Sequence, residues 1–554
     1  MPSANQLPSI EHVVLLMLEN RSFDHMLGFL YADSGNRSPS GQPFEGLNGD
    51  ESNPDADGNP VQVFKIQATD QDAYFMPGAD PGEGYAATNN ELFGTTTAPA
   101  PPAATNQGFV KDFAYTLGWQ TKSPSRAKEI LPGTVATNIM GCFTPEMLPV
   151  LSGLARGYAV CDHWYSSAPT ETFPNRAFVN AGTSQGHMND KTPSFTVPSI
   201  FGLMSQHGLS WAIYGYDKPP LTRANFPDTV AADASHFGLF KDFQAAAAAG
   251  TLPAYTFLEP DWGTTGNSQH PNYDVALGEQ LIHDVYYALR DGPAWAQTLL
   301  VVTYDEHGGC YDHVPPPEGA TPPDDCVGEY GFDFKRFGVR VPAVIVSPLV
   351  AAGTVFRVPD GATPLDHTSV LKTLEVRFGL PALTARDAAA PDIGDALTLQ
   401  TPRTDDPLAG VTVPTSGGQH PAPDAPSHLE QVHAELVSQL PVQDAHGTAS
   451  PAESGMLRTA ADYKRYITSR TAAWDAQRQS QPPARGTAAR PGASKKTTKK
   501  SAKKTSANKS AKKSSAKKPA KKTSEKTSEK RGAKKSAAKK SAARAKTSKK
   551  TGRR

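Results

Sequence analysis

The sequence predicts an α/β fold with a mostly parallel central sheet flanked by helices. Short apolar runs of strand length recur through residues 1–400. Between some of them lie segments with apolar residues at three-and-four spacing, the period of a helix packed on one face. Strands separated by helices of that length pair in parallel through crossover connections.

Residues 13–18 (VVLLML) form an unbroken apolar run, as in a strand covered on both faces, and lead directly into Glu19-Asn20. Residues 33–107 are rich in Gly, Pro, Asn and Asp and read as loops laid over the body. Residues 211–216 and 255–258 read as strands, the second ending at Glu259. Residues 275–289 (VALGEQLIHDVYYAL) show the clearest helical pattern, and 368–378 show another. Residues 299–304 form a strand ending at Asp305-Glu306, and 341–346 form a further strand. These elements define a catalytic body over residues 1–400. Residues 401–484 read as a Pro/Gly/Thr-rich connector followed by a helical extension, with amphipathic helices at 427–440 and 459–478.

The formal net charge of zero is a cancellation. Residues 491–554 hold 26 of the 55 lysines and arginines and only two acids, Glu525 and Glu529, a charge of +24; residues 1–490 carry −24. The segment 485–554 repeats units of the AKKS and KKTS kind, and from 491 onward its only apolar side chains are those of Ala and two prolines, Pro491 and Pro519. Such a tract cannot bury a core and is expected to be disordered, a basic tail suited to DNA or RNA phosphates or to an anionic membrane surface. Apolar residues make up 38% of the chain and charged residues 20%, which excludes a wholly disordered protein. No run of about 18 apolar residues offers a membrane-spanning helix. The first residues lack a basic segment and a small-residue cleavage site, so the expected compartment is the cytoplasm, with signal-less export as the alternative.

Polar chemistry gathers at the predicted strand ends, where open α/β sheets bind ligands. Glu19-Asn20 and Asp305-Glu306 would place carboxylates and an amide oxygen together, a set suited to Mg, Ca or Mn, with Zn also admissible. Acids at strand ends also serve as helix caps. The segment 303–317 (TYDEHGGCYDHVPPP) adds His307, Asp312 and His313, and Gly308-Gly309 would let the chain fold back over the acids. Thr170 and Thr172 offer hydroxyls that a cation could activate; a threonine in a turn more often bonds to backbone. His270 lies in a loop before the helix at 275, a place from which a histidine can donate a proton to a leaving group or simply face solvent.

Six motifs occur in order: Glu19-Asn20-Arg21-Ser22-Phe23-Asp24-His25, Thr172-Phe173-Pro174-Asn175-Arg176, Asn267-Ser268-Gln269-His270-Pro271, Tyr304-Asp305-Glu306-His307-Gly308-Gly309, Asp312-His313-Val314, and Asp366-His367-Thr368-Ser369. Over roughly residues 10–400 the chain resembles the bacterial phosphoesterase family of phospholipases C and acid phosphatases. The resemblance implies an alkaline-phosphatase-like core with a divalent metal at the strand ends. It implies that Glu19, Asn20, Asp305 and Glu306 hold the metal, that Thr172 is the nucleophile, and that His270 protonates the leaving group. His307, Asp312, His313 and His367 would support these ligands from behind. The implied activity is metal-assisted cleavage of phospholipid phosphodiesters, with an acid phosphatase-type phosphomonoesterase as the alternative. Many relatives carry Asp-Pro-x-His before the nucleophile, where this chain has Asp80-Pro81-Gly82-Glu83. Relatives are also often exported behind an N-terminal signal, which is not seen here.

Overall fold

The computed structural model describes residues 5–191, 195–443 and 457–480. These described residues form one compact unit. The basic tail and the partners expected of it fall outside the described residues.

An eight-stranded sheet lies at the centre. Its strands are β1 (His12–Leu18), β2 (Ala159–Val160), β3 (Trp211–Gly215), β4 (Phe237–Leu239), β5 (Tyr255–Leu258), β6 (Thr298–Tyr304), β7 (Ala343–Val346) and β8 (Thr354–Val355), in the spatial order β8-β2-β7-β6-β1-β5-β3-β4. Pairing is parallel except where β7 runs against β6 and β2. β1 is central because its side chains are apolar on both faces: Val13–Leu18 are all at most 1% exposed. Helices cover the sheet. In Val275–Arg290 the stripe Leu281, Ile282, Val285 and Leu289 is buried, and Asp274 caps the N-terminus by accepting from the Ala276 amide at 3.0 Å. Fully burying each such side chain contributes about 1.5–3 kcal/mol. Glu279 on the same helix accepts from the Val150 and Leu151 amides at 2.6 and 3.0 Å, capping the helix Pro149–Gly157 that packs beside it.

The segment 33–107 is more ordered than its composition suggests. It contains the short strands Ser52–Pro54, Pro60–Gln62 and Phe64–Lys65 and the helix Tyr85–Phe93. Leu47, Val63 and Ala79 share a second core with Phe109, Val110 and Phe113 from the helix Phe109–Gln120. These few apolar residues anchor a segment that hydrophobic periodicity alone leaves as loop. The two-residue strands β2 and β8 and the three-residue β4 are likewise too short for a sequence pattern to show.

Past residue 400 the chain adds the helices His428–Ser438 and Ala460–Ser480. Ser427 and Glu430 form a capping box at the first, each side chain bonding the other's amide. Leu429, Val432 and Leu436 pack with Phe173, Phe226 and Trp262, while Val437 and Leu440 meet Ile467. Buried Lys218 joins the body to this extension through Asp261 and Glu430. His433 is fully buried, and neither ring nitrogen has a hydrogen-bond partner. Burial, reinforced by the Lys218 charge, pulls its pKa down to about 3. An unfolded chain protonates this histidine below about pH 6.5 and the folded one does not, so stability falls as pH drops from about 6.5 toward 3, by about 1.4 kcal/mol per unit. His433→Leu should therefore gain about 2 kcal/mol relative to wild type between pH 7.5 and 5, read from urea melts. Parallel pH profiles for the two proteins would contradict this.

Candidate active site

The register of the central strands assembles the first part of the site. Leu18 pairs with Tyr304, so Glu19-Asn20 and Asp305-Glu306 leave the sheet side by side. Asn20 takes a left-handed backbone, φ 55°, and its amide donates to Asp305 Oδ1 at 2.9 Å. Gly308 then turns the chain back over these groups: its φ is +60°, and a Cβ there would lie 2.1 Å from the Asn20 carbonyl oxygen. Only glycine fits so close an approach.

Thr172 begins the helix Thr172–Ala181, and its hydroxyl donates to Asn20 Oδ1 at 3.0 Å. The other side of that amide, Asn20 Nδ2, donates to Glu83 Oε2 at 2.5 Å. One turn along the helix, Arg176 Nε donates to Asp305 Oδ2 at 2.9 Å, and Nη2 holds the Met17 and Leu18 carbonyls. Its guanidinium stacks on Trp262, 4.4 Å from the ring centre. Arg176 thus clamps the ends of β1 and β6 together, a role that the residue types alone did not show.

A cavity of about 240 Å³ opens over these groups. Of the residues that the sequence singles out, Glu19, Asp80, Glu83, Thr172 and His270 line it; Asn20 reaches it through its bonds to Thr172 and Glu83. Asp80, Glu83, Glu171 and Asp190 complete an acidic lining, with Arg126, Lys191 and His428 as cationic neighbours. Most of these were not legible as site residues. His428 arrives from the C-terminal helix, where the only sequence signal is the Ser427/Glu430 cap.

The electrostatics are those of crowded buried carboxylates. Burial, then the charge of Asp305, raises the Glu19 pKa well above the ordinary range. Glu306 is pushed up to about 7 by burial, against the pull of its hydrogen bond to His307. Glu83 is raised by burial and by Asp80, Glu306 and their neighbours. Glu19 Oε2 and Glu306 Oε1 are buried oxygens without a hydrogen-bond partner. Unpaired buried carboxylate oxygens facing like charge call for a cation. Oxygen donors of this kind suit a hard divalent metal, and the residues present fit one.

His307 and His367 serve these acids. His307 bridges Glu306 at 3.0 Å and Glu91 at 2.7 Å; burial opposes its charge, but the two carboxylates hold its pKa up at about 10. His367 Nε2 donates to the Asp305 carbonyl at 2.6 Å while Nδ1 accepts from Trp164. Asp312 and His313 belong to a different network. His313 bonds Asp24 at 2.5 Å, and fully buried Arg340 joins Asp24 and Asp312 at 2.9 Å each. The ligand atoms of Asp24, Asp312 and His313 lie within 4.8 Å of one another, but Arg340 already supplies the positive charge. Glu259 also stands apart: it accepts from the Leu221 and Thr222 amides and caps that turn. Thr170 bonds the Met188 carbonyl.

His270 is held by Arg21, which donates to the Gln269 and His270 carbonyls. Its Nδ1 lies 2.9 Å from the Pro271 carbonyl, a contact only a protonated Nδ1 can make, so neutral His270 presents a bare Nε2 toward Asp80, 3.9 Å from Oδ1. Burial lowers its pKa to about 4.

Residues 10–381 match the family described as the Phosphoesterase family. Non-specific phospholipase C1 of Arabidopsis thaliana is 35% identical over 404 residues, 69% of each chain. Non-specific phospholipase C6 of the same plant is 34% identical over 482 residues, 83% of this chain and 86% of the relative. Phospholipase C A of Mycobacterium tuberculosis is 28% identical over 450 residues, 72% and 79%. Among solved structures, a protein in the alkaline phosphatase superfamily from Vibrio parahaemolyticus aligns with 13% identity and a TM-score of 0.27, over 45% of this chain and 64% of that one. The match spans all six motifs from Glu19 to Ser369, and with it the strand ends where Thr172, Asn20 and Asp305 meet: the chain belongs to the phosphoesterase family and is a phosphoric ester hydrolase.

Proposed function

We propose that this enzyme is a metal-assisted phospholipase C that cleaves phospholipid phosphodiesters through a threonine nucleophile. The observation that carries the reading is the placement of the Thr172 hydroxyl. It sits at a helix N-terminus, 3.0 Å from Asn20 Oδ1, in the same cavity as Glu19 and His270. The names of the relatives, phospholipases C from a plant and a bacterium, support the substrate class.

Glu19, Asn20, Asp305 and Glu306 would hold the cation. Bound there, a divalent ion neutralises phosphate charge and lowers the pKa of a neighbouring hydroxyl. Thr172 Oγ releases its proton to solvent in the cavity and attacks phosphorus in line, forming a phosphothreonine as the P–O bond to the diacylglycerol breaks. The helix N-terminus beneath it favours the phosphoryl oxygens. The leaving alkoxide takes up a proton on the side of His270, whose bare Nε2 must first gain one from solvent. Water then hydrolyses the phosphothreonine and restores Thr172. Arg176, His307 and His367 keep the acids in place throughout.

The test is turnover of p-nitrophenylphosphorylcholine, bis-p-nitrophenyl phosphate and p-nitrophenyl phosphate, with and without a chelator. The choline diester should be cleaved. Chelation should lower the rate by about 100-fold or more, and added Ca, Mg, Mn or Zn should restore it. Activity confined to the monoester would replace the lipase reading with a phosphatase one, and full activity after chelation would remove the metal from it.

A further inference from the structure

The cavity contains a second set of ligand atoms that the first cation site leaves unused. Asp80, Glu83 and His270 each offer one, all within 4.8 Å of one another. Spacings near 3.3 Å surround a tetrahedral ion with bonds of about 2 Å, so small side-chain rotations would close the set. His270 is prepared as a ligand: its Nδ1 proton is given to a backbone carbonyl, which leaves the Nε2 lone pair facing Asp80. Asp80 Oδ1 has no hydrogen-bond partner. Glu19, a ligand of the first site, also lines this part of the cavity, is 3% exposed, and leaves Oε2 unpartnered. That oxygen is free to bridge toward a second ion.

We propose that Asp80, Glu83 and His270 form a second divalent cation site, with Glu19 as a bridging carboxylate. Imidazole with three carboxylates suits Zn2+, which can expand to a fifth position to take a substrate oxygen. Paired ions of this kind stabilise the attacking and the leaving oxygens of an in-line displacement together. The assignment rests on the phosphoesterase reading for its chemistry, but not on the first cation site for its existence. An ion on Nε2 would stand in for the proton that His270 supplies in the mechanism above, neutralising the leaving oxygen directly.

The experiment is equilibrium dialysis of metal-stripped full-length protein against Zn2+, with bound metal counted per chain. Ca2+, which has little use for imidazole, is run beside it. Wild type, Glu83→Gln, Asp80→Asn, His270→Gln and Asp305→Asn are compared, each checked by circular dichroism. Gln at 83 can still accept from Asn20, so a folded variant is expected. Two Zn2+ per wild-type chain, falling to one in Glu83→Gln or His270→Gln, would support the site. One Zn2+ in wild type and in Glu83→Gln alike, lost in Asp305→Asn, would overturn it and leave the first site standing. One Zn2+ lost in Glu83→Gln but kept in Asp305→Asn would support this site and overturn the other. No bound Zn2+ would overturn both.

Discussion

Thr172→Ala is expected to lower turnover by on the order of 10⁴-fold or more while leaving the melting curve close to wild type. The hydroxyl makes one hydrogen bond, to Asn20 Oδ1, and its loss takes little from a fold whose strand ends are already tied by Arg176 and Asp305. A single neutral hydrogen bond is worth about 1 kcal/mol net, too little to unfold a domain of this size. For turnover the same oxygen is the bond-forming atom, and no neighbouring residue can take its place: Thr170 is committed to the Met188 carbonyl. Thr172→Ser should retain measurable activity, since the reacting oxygen is conserved. Trapping of a phosphorylated residue at position 172 by mass spectrometry would complete the case; wild-type rates in Thr172→Ala would end it.

Arg340→Met is expected to cost about 3–5 kcal/mol of stability, seen as a lower urea midpoint. The guanidinium is completely buried. It donates to Asp312 Oδ1 and Asp24 Oδ1 at 2.9 Å each, and to the Glu45 and Asp162 carbonyls at 2.9 Å each. It also lies over Phe23, 4.6 Å from the ring centre. Methionine replaces the packing and leaves two carboxylates facing each other without a fixed cation. Lysine should fail nearly as badly, because one ammonium cannot reach four acceptors that a planar fork spans. Adding Asp312→Asn to Arg340→Met should recover part of the loss. Equal stability for Arg340→Met and wild type would mean that Asp24 and Asp312 are neutral in the folded protein.

Much of the site was readable because its chemistry sits where strands end. The apolar run at 13–18 located β1, and the run at 299–304 located β6; the acids that follow each were then placed together by register. Thr172 and His270 needed the resemblance, since a lone threonine or loop histidine says nothing by itself. Asp312 and His313 stand in a network apart from the cavity for a physical reason. Polar density along 303–317 does not say which way the chain faces after the Gly308-Gly309 turn, and it faces Arg340. His428 was hidden differently, and Glu83 showed only through the comparison of Asp80-Pro81-Gly82-Glu83 with the relatives' motif. Each depends on how a distant segment docks, through Leu47, Val63 and Phe109 in one case and through Leu429, Phe173 and Trp262 in the other. No local period records those contacts.

The pairing of β1 has a consequence for how the molecule is born. The strand at the middle of the sheet is the first one synthesised, and its partners are β5 at 255–258 and β6 at 298–304. At about 5–20 residues per second, this apolar strand waits roughly 10–60 s on the ribosome before either neighbour exists. During that time Val13–Leu18 is an unpaired edge of the kind that templates aggregation. The sheet therefore cannot close from the N-terminus outward as it emerges. It closes late, as residues 300–355 clear the exit tunnel, and until then the nascent chain depends on whatever shields Val13–Leu18.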